Sequence, residues 1–133
     1  MNARLGQLKL AVFYHSSLLT GMGIFNEVRA FTESNTGSLV INISDESMSP
    51  LYCLGDYVGG LPIVSKLALK YKSQLFIVKP FNEPSFVRYL DVNEENLSFI
   101  FKAHNKKFIN LTYPYEQIEK LYYVVYYRKN FSL

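Results

Sequence analysis

The amino-acid sequence predicts a mostly β domain of six to seven short strands. Three observations carry this. Short apolar stretches recur along the chain, with turn residues every eight to twelve positions. Aromatic content is high, with 11 Tyr and 10 Phe and no Trp, and these residues fall in short alternating runs that suit a pleated surface. No stretch shows a long amphipathic helical pattern.

The elements follow in order. Residues 5–14, "LGQLKLAVFY", read as a strand or an arm. Residues 18–31, "LLTGMGIFNEVRAF", carry two close glycines and predict a loop entering a short strand. "ESNTGS" (33–38) is a turn cluster. "SLVINIS" (38–44) alternates as a strand and ends at the turn "DESMSP". "DYVGGLPIV" (56–64) is an apolar strand broken by Gly59, Gly60 and Pro62. "SKLALKYKS" (65–73) is a connector with either a short helix or extended chain. "QLFIVKP" (74–80) and "FVRYLDV" (86–92) are strands joined by the turn "FNEPS". In the second, Phe86, Arg88, Leu90 and Val92 fall on one side, and Val87, Tyr89 and Asp91 on the other. "LSFIFKAH" (97–104) is the next strand, "NLTYPYEQIEK" (110–120) a connector, and "LYYVVYYRKNF" (121–131) the last strand.

Composition narrows the function classes. The 133 residues fit one domain, 1–133, with residues 1–36 an N-terminal arm and 37–133 the β core. Hydrophobic residues make up 49% and charged residues 19%, which suits a packed core rather than disorder. The net charge of +3 is far from the charge stripe of a dedicated nucleic-acid module, and no helix-turn-helix is readable. The single cysteine, Cys53, excludes an internal disulfide and a cysteine-rich zinc site and fits a reducing compartment. His15 and His104 have no metal-ligand spacing, so neither a metal nor another cofactor is expected. No apolar run approaches the length that spans a bilayer, and the N-terminus lacks the pattern of a signal peptide.

One turn invites a chemical reading. "SDESMSPLYCLGD" places Ser47 in a Ser-Met-x-Pro turn with Gly55-Asp56 after it. Ser47 is either a nucleophile or a turn serine capping local amides. The ordered series "SDESMSPLYCLGD", "LFIVKPFNEPSFVRYL", "LSFIFKAHNKKF" and "IEKLYYVVYYRK" resembles the C-terminal domain of LexA-type repressors, CI-type phage repressors and UmuD accessory proteins. The resemblance covers roughly residues 38–131. That family is a serine–lysine peptidase fold that cleaves its own N-terminal segment. The resemblance places Ser47 at the nucleophile, and Asn105 at an asparagine that typically follows the strand after the hairpin. Residues 1–36 would correspond to the cleavage-loop segment.

Three departures matter. The family's Gly-Asp before the serine is here Asp45-Glu46. The family's general-base lysine is here Arg88, which stays protonated and cannot take a serine proton. Lys66, Lys70, Lys72 and Lys79 lie out of register for that role. The family's Ala-Gly or Cys-Gly cleavage pair does not occur in this chain. The resemblance therefore implies a peptidase-like domain without the peptidase base, a pseudoenzyme. It would serve oligomerisation or regulation in a cytoplasmic, repressor-type transcription regulator of the prophage or SOS kind. Two alternatives stand beside it: an active self-cleaving serine peptidase with an unusual base, and a UmuD-like accessory subunit binding a polymerase or recombinase.

Further expectations attach to single residues. Asp45 or Glu46 is a counter-ion for Arg88 if the guanidinium is buried; otherwise Arg88 reaches solvent. Cys53 is expected to be a small buried residue. "KAHNKKF" (102–108) is a solvated basic turn or a contact for an acidic partner. A last strand that is apolar on both faces is central or covered by a partner. In the family the late strands help form the dimer, so a homodimer is expected, with Tyr126 and Tyr127 as exposed interface anchors.

Overall fold

The computed structural model describes residues 21–130. The expectations for residues 5–14 and for His15 lie outside them. The described chain is mostly β: seven strands form one antiparallel sheet in the order β1-β2-β7-β3-β4-β5-β6. The strands are β1 Leu39–Asn42, β2 Tyr57–Ile63, β3 Leu75–Pro80, β4 Phe86–Asn93, β5 Ser98–Lys102, β6 Leu111–Pro114 and β7 Ile118–Arg128. Helix α1 spans Gly21–Ser34. The short helix α2, Ser65–Ala68, runs on into a 3-10 turn, Leu69–Tyr71.

Two elements differ from expectation. The segment expected as a loop entering a strand is helix α1. Among its described side chains Phe31 and, just past its end, Asn35 are buried and Glu27 and Val28 half-buried, while Arg29, Ala30, Thr32 and Glu33 are exposed. That sparse burial left little periodic signal to read. The second difference is β6, which falls inside the segment read as a connector. It is a four-residue edge strand ending in Pro114, as edge strands tolerate.

β7 is central rather than an edge. It pairs with β2 through Leu121–Arg128 and with β3 through Ile118–Tyr123. Its apolar character on both faces is thus satisfied within the chain. The residues of β3 and β4 alternate between two packed layers. Phe76, Val78 and Leu90 join Phe99, Phe101 and Leu121 on one face. Leu75, Ile77 and Val87 join Met48, Val58 and Tyr122 on the other. The division of β4 into these faces is the one its alternation predicts.

A bulge opposite Gly59/Gly60 inserts Val125 into β7 without a partner on β2. One extra residue shifts the side-chain alternation by one. Tyr126 therefore joins the layer of Phe31 and Val125, and Tyr127 joins the layer of Tyr52 and Val124. Glycine is required on the facing strand. A Cβ on Gly59 would lie 3.0 Å from both the Phe31 and the Tyr126 rings, and one on Gly60 would lie 2.7 Å from Tyr122.

Candidate functional site

The Ser47 turn is built from its own residues. The Asp45 carboxylate accepts hydrogen bonds from the Ser47 N–H at 2.9 Å and from the Ser47 hydroxyl at 2.6 Å, both through Oδ1. This is the local turn chemistry that short carboxylate side chains favour. Ser47 is 2% exposed, and Met48 beside it is fully buried in the core. The Asn105 N–H donates to the Ser47 carbonyl at 2.8 Å, and its side-chain amide donates to the Glu46 carbonyl at 3.0 Å. The His104 N–H meets the Met48 sulfur at 3.4 Å. The loop after β5 thus clamps the turn from the far side.

The same loop reaches Arg88. The Arg88 guanidinium donates from Nη1 to the Ile109 carbonyl at 2.6 Å. Arg88 is 5% exposed, so it does not reach for solvent. Burial lowers its pKa from the ordinary arginine value, and the charge of Asp45 opposes that shift. Of the two acidic residues before the serine, Asp45 is the one whose field acts on Arg88. Among the described residues no carboxylate lies within ion-pair distance of the guanidinium. Asp45, Ser47 and Arg88 are thereby drawn into one neighbourhood from positions far apart in sequence.

Such an arrangement holds a hydroxyl and a guanidinium in place, and among the described residues no lysine is bonded to Ser47. Lys79 is engaged elsewhere: its ammonium donates to the Glu83 carbonyl at 2.9 Å and pairs with Glu119 at 3.7 Å. Lys72 pairs with Glu94 at 3.8 Å.

Asp56, from the Gly-Asp pair, is the hub of a second network. Its buried carboxylate accepts from the Cys53 N–H at 2.8 Å, the Tyr127 hydroxyl at 2.6 Å and the Asn130 N–H at 2.9 Å. Gly55 supplies the left-handed backbone that this turn needs, at φ +89°. Burial and the Asp56 bond push the Tyr127 pKa well above the ordinary tyrosine value.

The expected exposure of Tyr126 and Tyr127 is corrected here. Tyr126 is fully buried, stacked on Phe31 at 5.5 Å, and donates its hydroxyl to Glu27 at 2.7 Å. Tyr127 is half-buried, with its hydroxyl held by Asp56. Both serve the chain's own packing, because the bulge in β7 turns each into a different layer. Cys53 is half-buried rather than buried, with its thiol directed to the Pro50 carbonyl at 3.3 Å.

A third polar group had no signal in the sequence. Arg128, at the end of β7, is 2% exposed and pairs with the buried carboxylate of Glu27 at 3.5 Å. Their residues stand about a hundred positions apart, so only the folded chain brings them together. Among the described residues no group of three or more His, Cys, Asp or Glu is placed to hold a metal ion. None of the described helices is long and apolar enough to cross a membrane.

No family model matches the chain, and no curated protein matches it. The fold and the site define a mostly β domain with a buried, carboxylate-bound serine turn.

Proposed function

We propose that the chain is a LexA-like domain in which the peptidase centre has fallen silent. Its work is oligomerisation or regulation within a repressor-type regulator. One observation carries this reading. The serine turn, Asn105 and position 88 meet through one loop, as the motif order implies, yet the hydroxyl is bound to Asp45 and position 88 is an arginine spent on Ile109. A serine needs an adjacent base to attack, and arginine cannot be that base.

Two measurements test it. Incubation of the full chain at alkaline pH, followed by intact mass, should return the unchanged mass. Loss of an N-terminal fragment in the native chain but not in Ser47→Ala would overturn the silent-centre reading. Sedimentation over micromolar concentrations should reveal a reversible dimer. A strictly monomeric chain would remove the oligomerisation role.

A further inference from the structure

A cavity of about 400 Å³ lies between the turn after Pro50 and the sheet. Its volume falls in the range of small-molecule sites. Tyr52 lines it from the turn, Tyr89 from β4 and Tyr127 from β7. All three tyrosines are half-buried, and all three belong to the layer around Met48 and Val58. Leu75 and Val124, also in the lining, come from the same layer. The tyrosines therefore converge on one face of the sheet. Tyr52 meets Tyr127 edge to face, with ring centroids 5.1 Å apart and planes at 88°. Two rings at right angles form a corner.

Charge decides what such a corner attracts. The face of an aromatic ring is negative and draws cations. A phenol that donates to a carboxylate gains electron density in its ring, and Tyr127 donates to Asp56 at 2.6 Å. Asp56 is buried behind that wall, and hydrogen bonds from three donors stabilise its negative charge. Among the described residues no cation lies within ion-pair distance of Asp56, and none lines the cavity. Lys72 is paired with Glu94, and Lys129 reaches the Cys53 thiol at 3.9 Å. His104 stands edge-on to Tyr89, outside the lining.

The wall is thus electronegative, yet it puts no carboxylate in contact with a ligand. That selects among cations. A primary ammonium is strongly hydrated and would give up its water partners for rings. A methylated ammonium has no N–H to satisfy, and its methyl groups suit the tyrosines, Leu75 and Val124. We propose that this cavity binds a small quaternary ammonium compound, its trimethylammonium head held in the corner of Tyr52 and Tyr127 and against Tyr89. The volume leaves room for the rest of a free ligand beyond that head. The proposal is independent of what Ser47 does.

The test titrates the full chain, carbon-13 labelled at its valine methyl groups, with choline and with 3,3-dimethylbutanol. The second compound has the shape of choline and no charge. Choline should shift the Val124 methyl signals and bind about tenfold more tightly than the neutral compound. Tyr52→Leu keeps apolar bulk and removes one ring. It should cost choline about fivefold in affinity and the neutral compound little. Tyr89→Leu repeats that test from a different element, and the other valine signals report whether each variant is folded. Tyr127→Phe keeps the ring but frees it from Asp56, and should cost choline about threefold. Equal affinity for the two compounds, equal loss of both in the folded leucine variants, or shifts confined to valines away from the cavity would each overturn the proposal. A trimethyllysine peptide that binds about tenfold more tightly than choline would overturn the assignment to a free ligand.

Discussion

Arg88 and Arg128 are both buried, and their surroundings are opposites. Arg128 faces a carboxylate: Glu27 reaches it from helix α1 at 3.5 Å and also accepts the Tyr126 hydroxyl. Arg88 faces a carbonyl: Ile109 accepts from its guanidinium, and Asp45 acts on it only from beyond ion-pair distance. A buried charge is costly unless paired and hydrogen-bonded. The Glu27–Arg128 pair meets that demand with an opposite charge, and so fastens α1 to the end of the sheet. At Arg88 the neighbouring carboxylate is shared with a serine. The two sites teach different things about the chain: the first is a structural clamp, whereas the second keeps a charge where the resembled family has a base.

The largest expected effect comes from breaking the clamp. Glu27→Ala leaves Arg128 without that carboxylate and should cost about 3–5 kcal/mol, read from the urea midpoint. Loss of the Phe31 ring, which stacks on Tyr126, should cost about as much in Phe31→Ala. Arg88→Lys comes next: it keeps a charge, loses the bond to Ile109 and should cost about 1–2 kcal/mol. A cost for Arg88→Lys equal to that of Glu27→Ala would erase the contrast.

Tyr127→Phe sharpens the comparison with the Asp56 hub. It removes one donor from a buried carboxylate and should cost about 1–2 kcal/mol at neutral pH. The raised pKa of Tyr127 fixes the sign at high pH. The folded state favours the neutral phenol, so its contribution is full below the unfolded value near pH ~10 and declines as the pH rises beyond it. The native chain should therefore lose stability above that point, and Tyr127→Phe should lose less across the same interval.

The smallest effect belongs to the surface pair Asp91–Lys102, at 2.8 Å across β4 and β5. Hydrogen bonding from Lys102 holds the Asp91 carboxyl below its ordinary value. A depressed carboxylate contributes above its unfolded pKa and loses that contribution as the pH falls through the folded one. Asp91→Asn should cost about 0.5 kcal/mol at neutral pH and nothing in strong acid, measured by paired urea titrations.

Much of the fold was legible in the sequence. Short apolar runs between turn residues located six of the strands, and alternation divided β4 between its two faces, because a half-buried strand must alternate. Helix α1 was not legible: few of its described side chains are buried, and its glycines argue for a loop until Phe31 finds Tyr126. β6 was hidden by its length and by Pro114. At the site, Ser47, Asn105 and Arg88 were singled out from motif order, and the structure draws them around one loop. Glu27 was not singled out, because nothing local marks a helix glutamate as the partner of an arginine about a hundred residues on.

The sequence by itself determined the β character, the turn at Ser47 and the arginine at position 88, since composition, alternation and residue chemistry are local properties. Tertiary structure alone decided what Tyr126 and Tyr127 do. A single inserted residue at Val125 reverses the alternation of β7, and that bulge depends on the glycines of another strand. It also decided the partner of Arg88, a carbonyl 21 residues away, because a buried guanidinium takes whichever acceptor the packing of distant loops brings within reach.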